Sequence, residues 1–268
     1  MRKKVLILGG LLLAVLMLVV AALDQRVAVR TYTVKSDKVV RPVRLAVLAD
    51  YHGCDDGVYG ATMVKQVEAL RPDAILLVGD MFSADGDPEA ELRMFRQLDS
   101  IAFTYYVTGN HEYWEHDVPQ LLARIADTGV TVLDQSCVSM VVDGLRINIC
   151  GIPDPYAYVD TEVALNRAVE DIDHPAFTVL LAHRPELIEK YAATASFDLV
   201  VAGHAHGGQV RIGKQGIYSP GQWLLPKLTS GFYYYDRLLV SRGLTNATWA
   251  PRINTPCELI ILHLEGAN

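Results

Sequence analysis

The sequence predicts an α/β domain built on two packed sheets, and three observations carry that reading. Short apolar runs alternate with segments of helical spacing through the first half of the chain. The last third is rich in strand-length runs and poor in helical ones. The apolar runs lack polar alternation, as expected of strands buried on both faces. With 268 residues, the chain is long enough for one large domain with a sizeable core.

Taken in order, residues 1–23 are set apart. "MRKK" precedes Val5–Leu23, 19 residues without a charge, about the length that crosses a hydrocarbon core at 1.5 Å per residue. A transmembrane anchor is preferred to a signal sequence, whose apolar region usually runs about 7–15 residues. "VAA" at Val20–Ala22 keeps cleavage open. Arg2, Lys3 and Lys4 on one side, against Arg26, Arg30, Lys35 and Asp24 on the other, favour a single-pass cell-membrane protein with its globular domain outside the cytoplasm. Residues 24–42 read as a linker with one extended piece, Arg30–Lys35, and residues 43–268 as the domain.

Within that domain, Val43–Ala49, Ala74–Gly79 and Phe103–Thr108 have strand length and are fully apolar or nearly so. Between and after them, Gly60–Leu70, Pro88–Ile101 and Val118–Gly129 have helical spacing, the second with proline near its start. This alternation predicts a largely parallel sheet. Further strands are expected at Val138–Val142, Arg146–Cys150, Phe177–Ala182, Asp198–Ala202, Gln209–Ile212, Arg237–Gly243 and Glu258–Leu264. Helices are expected near Thr161–Asp171 and Pro185–Ala195.

A net charge of −7 gives no basic footprint for nucleic acid. The four cysteines, Cys54, Cys137, Cys150 and Cys257, form no C-x-x-C pair and read as free packing thiols.

The chemistry lies where the apolar runs stop. "LAVLADYHG" ends in Asp50 and His52, "ILLVGD" in Asp80, and "YYVTGNHE" in Asn110 and His111. "TVLLAHRP" ends in His183 and "LVVAGHAHGG" in His204 and His206. Carboxyl ends of parallel strands line one crevice, so these residues are expected to converge. Residues i and i+2 of an extended segment share a face, which would bring Asp50 to His52 and His204 to His206. Carboxylate, imidazole and one amide oxygen suit a borderline divalent ion such as Mn, Fe or Zn. Seven ligands are too many for one tetrahedral ion, and two ions sharing a carboxylate are more economical. Taken singly, His116, His174 and His263 are expected to be structural, and Asp85 and Asp87 to be loop and cap residues.

The ordered set D-x-H, G-D, G-N-H-E, H and G-H-x-H resembles the calcineurin-like metallophosphoesterase superfamily. "HGGQVR", "SPGQW", "VSRGL" and "PRINTPCELIIL" further resemble its membrane-anchored bacterial branch with H-G-G-Q after the last ligand pair. The resemblance implies a four-layer α/β/β/α sandwich of two mixed sheets flanked by helices. It implies that Asp50, His52, Asp80 and His206 hold one metal ion. Asp80 would bridge to a second, completed by Asn110, His183 and His204. His111 would face the substrate as proton donor or charge stabiliser. Tyr51, between Asp50 and His52, departs from the smaller residues familiar there, so pocket shape is the property in question.

The implied activity is metal-dependent hydrolysis of a phosphodiester or pyrophosphate by attack of a bridging hydroxide. Two divalent ions facing Asp50, Asp80 and the hydroxide leave a net positive charge for phosphate. A lipid-linked substrate is preferred, because the domain is tethered and Pro220–Tyr235 is an apolar, aromatic loop. Arg184 and Arg211 are candidates for touching substrate phosphate, with a structural or solvated role the preferred reading of each. The alternative is a non-catalytic binding or scaffold protein on the same fold. It is weakened because all seven ligands and His111 are present.

Overall fold

The computed structural model describes residues 2–54, 59–82, 88–115, 117–170, 172, 175–194, 197–245 and 251–267. Asp85, Asp87, His116 and His174 lie outside the described residues. Two six-stranded mixed sheets pack face to face, with helices on both outer surfaces.

In the first sheet, β1 (Ala28–Lys35) lies at one edge, followed by β16 (Glu258–Glu265), β2 (Val43–Leu48), β3 (Ala74–Val78), β4 (Phe103–Val107) and β5 (Thr131–Val132). The strands β2 to β5 pair in parallel, as the β/α alternation requires. In the second sheet the order is β14 (Gly231–Tyr233), β15 (Leu238–Val240), β9 (Leu199–Ala202), β8 (Phe177–Leu181), β7 (Leu145–Gly151) and β6 (Ser136–Val142). Two short ribbons follow β9 in sequence. They are β10 (Arg211–Ile212) with β11 (Gln215–Gly216), and β12 (Tyr218–Ser219) with β13 (Trp223–Leu224).

The period-2 rule divides each central strand between two cores. Leu45, Val47, Leu76 and Val78 face Ile147, Ile149, Val179, Leu181 and Val201 across the seam between sheets. Ala46, Leu48, Ile75 and Leu77 point outward against Met63 and Val67 of α2 (Tyr59–Leu70), Leu92 and Phe95 of α3 (Glu89–Asp99), and Leu121 and Ile125 of α5 (Val118–Ala126). The short helix α4 (Asn110–Glu115) precedes α5. Leu180, Val200 and Ala202 pack under Leu165 of α6 (Thr161–Ala168) and Tyr191 of α7 (Ile188–Ala193). Strands buried on both faces carry no polar alternation, which is why they were legible as continuous apolar runs. The outer helices start on local signals. The Asp117 side chain accepts from the Gln120 N–H ahead of α5, and Asp160 accepts from Glu162 and Val163 ahead of α6.

Three expectations change. The extended piece expected at Arg30–Lys35 is part of β1, but it belongs to the first sheet and not to a linker, pairing along its whole length with β16; an edge strand with a solvent face lacks the continuous apolar run of the inner strands. Cys137 and Cys150, read as free thiols, form a disulfide. They are direct cross-strand partners in the β6–β7 register, which sequence spacing alone does not reveal. Tyr51 does not shape the pocket: its side chain is buried in the helix-side core and stacks on Tyr59 at 5.9 Å.

The segment expected to span a membrane lies in α1 (Arg2–Ala22). The side chains of residues 2–9 and 18 lie outside the described set. Among the described residues no helix is long and apolar enough to cross a membrane. The membrane span therefore rests on the sequence alone.

Candidate metal centre

All seven expected ligands converge at one end of the seam between the sheets. Asp50 and His52 follow β2, Asp80 follows β3, and Asn110 opens α4 just after β4. His183 follows β8, and His204 and His206 follow β9. The loops after β2 and β3 run side by side. Asp50 N donates to Gly79 O at 3.1 Å and His52 N to Asp80 O at 3.0 Å. The loops after β8 and β9 are joined by Gly203 N donating to His183 O at 3.0 Å.

The convergence does not come from extended backbone, as the i, i+2 argument supposed. Asp50, His52, Asp80, His204 and His206 all have positive φ, between 45° and 65°. This left-handed conformation is costly for non-glycine residues and concentrates at functional sites. The strands therefore end in tight turns that swing the side chains inward. The tightest approach is at Gly79 (φ +78°), where an added Cβ would lie 2.6 Å from His183 Nδ1 and 2.7 Å from Gly109 N. Only glycine lets the ends of β3, β4 and β8 meet there.

Two ligand groups share Asp80 or lie beside it. Asp50, His52 and His206 can each place a donor atom within 4.8 Å of the others, and so can Asp80, His183 and His204. A third such group, His52, Asp80 and His111, joins them. His183 Nε2 lies 3.1 Å from Asp80 Oδ2, and His206 Nε2 lies 3.8 Å from Asp50 Oδ1. The His111 ring meets His52 edge-on at 4.5 Å and lies 4.9 Å from Trp114, at the rim.

The donor set fits divalent ions on an internal observation. Asn110 Oδ1, His204 Nε2 and His206 Nδ1 are buried and make no hydrogen bond, and neither does either ring nitrogen of His52; His183 Nε2 faces only the Asp80 carboxylate. Buried polar atoms are otherwise nearly always paired, so one cluster of orphaned ligand atoms is unusual. His183 Nδ1 is 2.8 Å from Val78 O. Donation to that carbonyl leaves Nε2 as the ligating atom.

Electrostatics agree with this chemistry. Burial lowers His52 to about 3 and holds His204 and His206 well below the usual imidazole range. These three rings are therefore neutral and ligand-ready at pH 7. Burial also opposes charge on His183, but the Asp80 carboxylate beside it wins, and the ring is held up at about 10. Burial pushes Asp50 up to about 7, against the pull of His183 and with Asp80 adding to the rise.

Residues behind the ligands were not singled out from the sequence. Glu112, inside G-N-H-E, is fully buried and accepts four backbone N–H groups. These are Asp80 (3.0 Å), Met81 (2.7 Å), Phe82 (3.3 Å) and Gly109 (2.6 Å). It clamps the β3 loop to the β4 loop. Arg252 is also fully buried and donates to the carbonyls of Thr245 (2.6 Å), Arg242 (2.6 Å) and Thr255 (3.0 Å). Thr245 in turn donates to the Asp50 carbonyl. A polar residue in a strand-end motif was the only available signal for Glu112, and for Arg252 only its place in the stretch "PRINTPCELIIL".

The two candidate phosphate contacts differ. Arg184 donates to Asp154 (2.6 Å), sits over the Tyr156 ring and reaches within 3.6 Å of Glu186, which lies 3.8 Å from His204. It therefore borders the cluster. Arg211 is turned to another use: its guanidinium donates to Gly207 O (2.7 Å), Thr229 Oγ1 (2.9 Å) and Lys214 O. It braces the loop after His206, the structural role preferred for it over a phosphate contact. His263, in β16, lies 4.0 Å from Glu265, away from the ligands.

Residues 43–208 match the calcineurin-like phosphoesterase family. An uncharacterised metallophosphoesterase of Helicobacter pylori (strain J99) is 30% identical over 179 residues, covering 65% of this chain and 47% of that protein. A Bos taurus transmembrane protein with metallophosphoesterase domain is 34% identical over 162 residues, covering 55% of this chain and 36% of that protein. Among solved structures, TT1561 of Thermus thermophilus is 17% identical with a TM-score of 0.46, over 61% of this chain and 82% of that one. The chain spans about half the length of the curated Helicobacter and Campylobacter relatives it matches. The matched span contains every one of the orphaned ligand atoms described above, and the chain belongs to the calcineurin-like phosphoesterase family.

Proposed function

We propose that the chain is a membrane-anchored, dinuclear metal-dependent phosphohydrolase acting on a phosphodiester or pyrophosphate bond, with a lipid-linked substrate preferred. The observation that carries the reading is the buried cluster, among the described residues, of His52, His204 and His206 ring nitrogens and the Asn110 amide oxygen without hydrogen bonds, together with His183, Asp50 and Asp80.

Asp50, His52, Asp80 and His206 would hold one divalent ion. Asp80 would also serve the second, with Asn110, His183 and His204. Bound ions of the Mn, Fe or Zn type supply water activation and stabilisation of phosphoryl charge. The protein's own residues do the rest. Asn110 offers an oxygen without adding negative charge, so the site stays attractive to phosphate. Val78 O fixes the tautomer of His183, and Glu112 holds Asp80 and Asn110 in register. His111, at the rim, donates a proton to the leaving oxygen, and Arg184 meets the substrate's phosphate.

Anchoring through Val5–Leu23 is supported by their freedom from charge and by a relative whose name includes a transmembrane protein. The Cys137–Cys150 disulfide supports an extracytoplasmic, oxidising location for the domain, as does the basic flank before the apolar segment.

The test is hydrolysis of bis-p-nitrophenyl phosphate by the purified, metal-loaded chain. Asp80→Ala and Asn110→Ala should each abolish turnover. Full activity in either variant overturns the assignment.

A further inference from the structure

The chain after His206 carries a surface that the hydrolytic reading does not use. Residues 207–235 contain no Asp or Glu, although the whole chain has a net charge of −7. They include the two short ribbons, which carry large apolar side chains exposed to water. Ile212 on β10 is 73% exposed, and Trp223 and Leu224 on β13 and Leu225 just after it are 70%, 74% and 63% exposed. Lys214 and Lys227, both exposed, lie two residues beyond these side chains. Trp223 (φ 60°) and Leu225 (φ 53°) have left-handed backbone. The patch is thus held in a conformation that costs energy while presenting large apolar side chains to water.

Hydrogen bonds join this surface to the end of α1. Ile217 N donates to Val210 O (2.8 Å) and Leu225 N to Ile217 O (2.9 Å), tying the ribbons together. Val210 bridges to Ile253. The next residue, Asn254, donates from its backbone to Ala22 O (2.8 Å) and from its side chain to Arg211 O (3.3 Å). The exit point of the uncharged segment is therefore bonded to the same ribbons that carry the exposed apolar patch.

We propose that Ile212 and the Trp223–Leu224–Leu225 patch insert into the interface of an anionic lipid bilayer beside α1, docking the domain on the membrane. The proposal rests on the anchored reading above. An apolar patch with tryptophan, followed by lysine and on a segment free of acidic residues, matches the requirements of an interfacial contact. The β12–β13 ribbon also lies near the metal cluster: a Cβ on Gly221 would strike the Glu186 carboxylate, 3.8 Å from His204. Between the patch and the Glu186–Glu189 segment opens a cavity of about 640 Å³, lined by Glu186, Glu189, Gln222, Leu224, Leu225 and Tyr233 among others. Docking in this way brings that cavity, with Glu186 beside His204, towards the headgroup level, where the phosphoester of a membrane amphiphile resides.

The test uses the full chain carrying Trp114→Phe and Trp249→Phe, which leaves Trp223 as its one tryptophan. The protein is reconstituted into phosphatidylcholine–phosphatidylglycerol vesicles with ordinary or brominated acyl chains. The proposal expects blue-shifted Trp223 emission that falls by about half or more on brominated lipid. Adding Leu224→Glu and Leu225→Glu, at exposed positions, should restore water-like emission while circular dichroism is unchanged. Vesicle flotation with water-like, unquenched Trp223 overturns the docking proposal alone. Failure to float overturns the anchor and the docking together. Hydrolysis of bis-p-nitrophenyl phosphate, measured on the parent chain, reports separately on the phosphohydrolase reading.

Discussion

Replacing Glu112 by glutamine tests whether one carboxylate holds the metal-binding loops together. Each Glu112 oxygen accepts two backbone N–H groups: Oε2 from Asp80 and Gly109, Oε1 from Met81 and Phe82. Glutamine has the same shape but one acceptor oxygen. Two of the four N–H groups would then face an NH₂ group in a fully buried site. Hydrogen bonds to a charged acceptor contribute about 1.5–3 kcal/mol each, so losing two costs about 3–6 kcal/mol. Burial raises the Glu112 pKa, and the N–H groups from Gly109 and Met81 work against that rise by favouring the ionised form. At about 2–4 °C per kcal/mol for a chain near this size, the melting temperature should fall by roughly 6–24 °C. Differential scanning calorimetry of the metal-free chain reads this directly, and calorimetric titration reads the weaker metal uptake that should accompany it. A Glu112→Gln variant that melts within about 2 °C of the parent and binds metal equally well would refute the clamp.

Gly79→Ala should lower both stability and metal content, because its Cβ meets His183 and Gly109 at a positive φ; elemental analysis of the folded fraction is the measurement. Arg252→Met should destabilise by about 3 kcal/mol or more by stranding three buried carbonyls, read from urea unfolding. At pH 7 the metal-free site holds a proton on His183, near 10, and a partial one on Asp50, near 7. Metal uptake should therefore release more than one proton per chain, fewer as the pH rises through 7, as titration calorimetry in buffers of different ionisation enthalpy would show. Reducing Cys137–Cys150, 13 residues apart, should cost about 2–4 kcal/mol and lower the melting temperature. A reporter fused after Asn268 should be active only in its extracytoplasmic form.

The inner strands and the ligands were legible for one physical reason. A strand buried on both faces reads as an unbroken apolar run, so the polar residue that ends it stands out, as Asp50, Asp80 and His183 do. The same logic blurred β1, whose outer face meets solvent and which reads only as an extended piece at Arg30–Lys35, and the two-residue strands β11 to β13, whereas β10 falls within the strand expected at Gln209–Ile212. The convergence of Asp50 with His52 was expected, but from an extended backbone that the left-handed turns replace. Positive φ at aspartate and histidine leaves no mark in composition. Glu112 and Arg252 act through backbone groups that only the folded loops bring near them, and the disulfide follows from a register that sequence spacing does not encode.

The ligand set is divided between the two halves of the sandwich. Asp50, His52, Asp80 and Asn110 hang from one sheet, and His183, His204 and His206 from the other. An ion held by both sets would act as a rivet at one end of the seam, while side chains such as Val142 and Leu145 close the seam elsewhere. Metal supply would then set the mechanical unity of the fold as well as its chemistry. A starved chain should breathe at the riveted end first. Amide exchange should therefore accelerate together at the ends of β2, β3, β8 and β9, elements far apart in the chain but joined by one fastening.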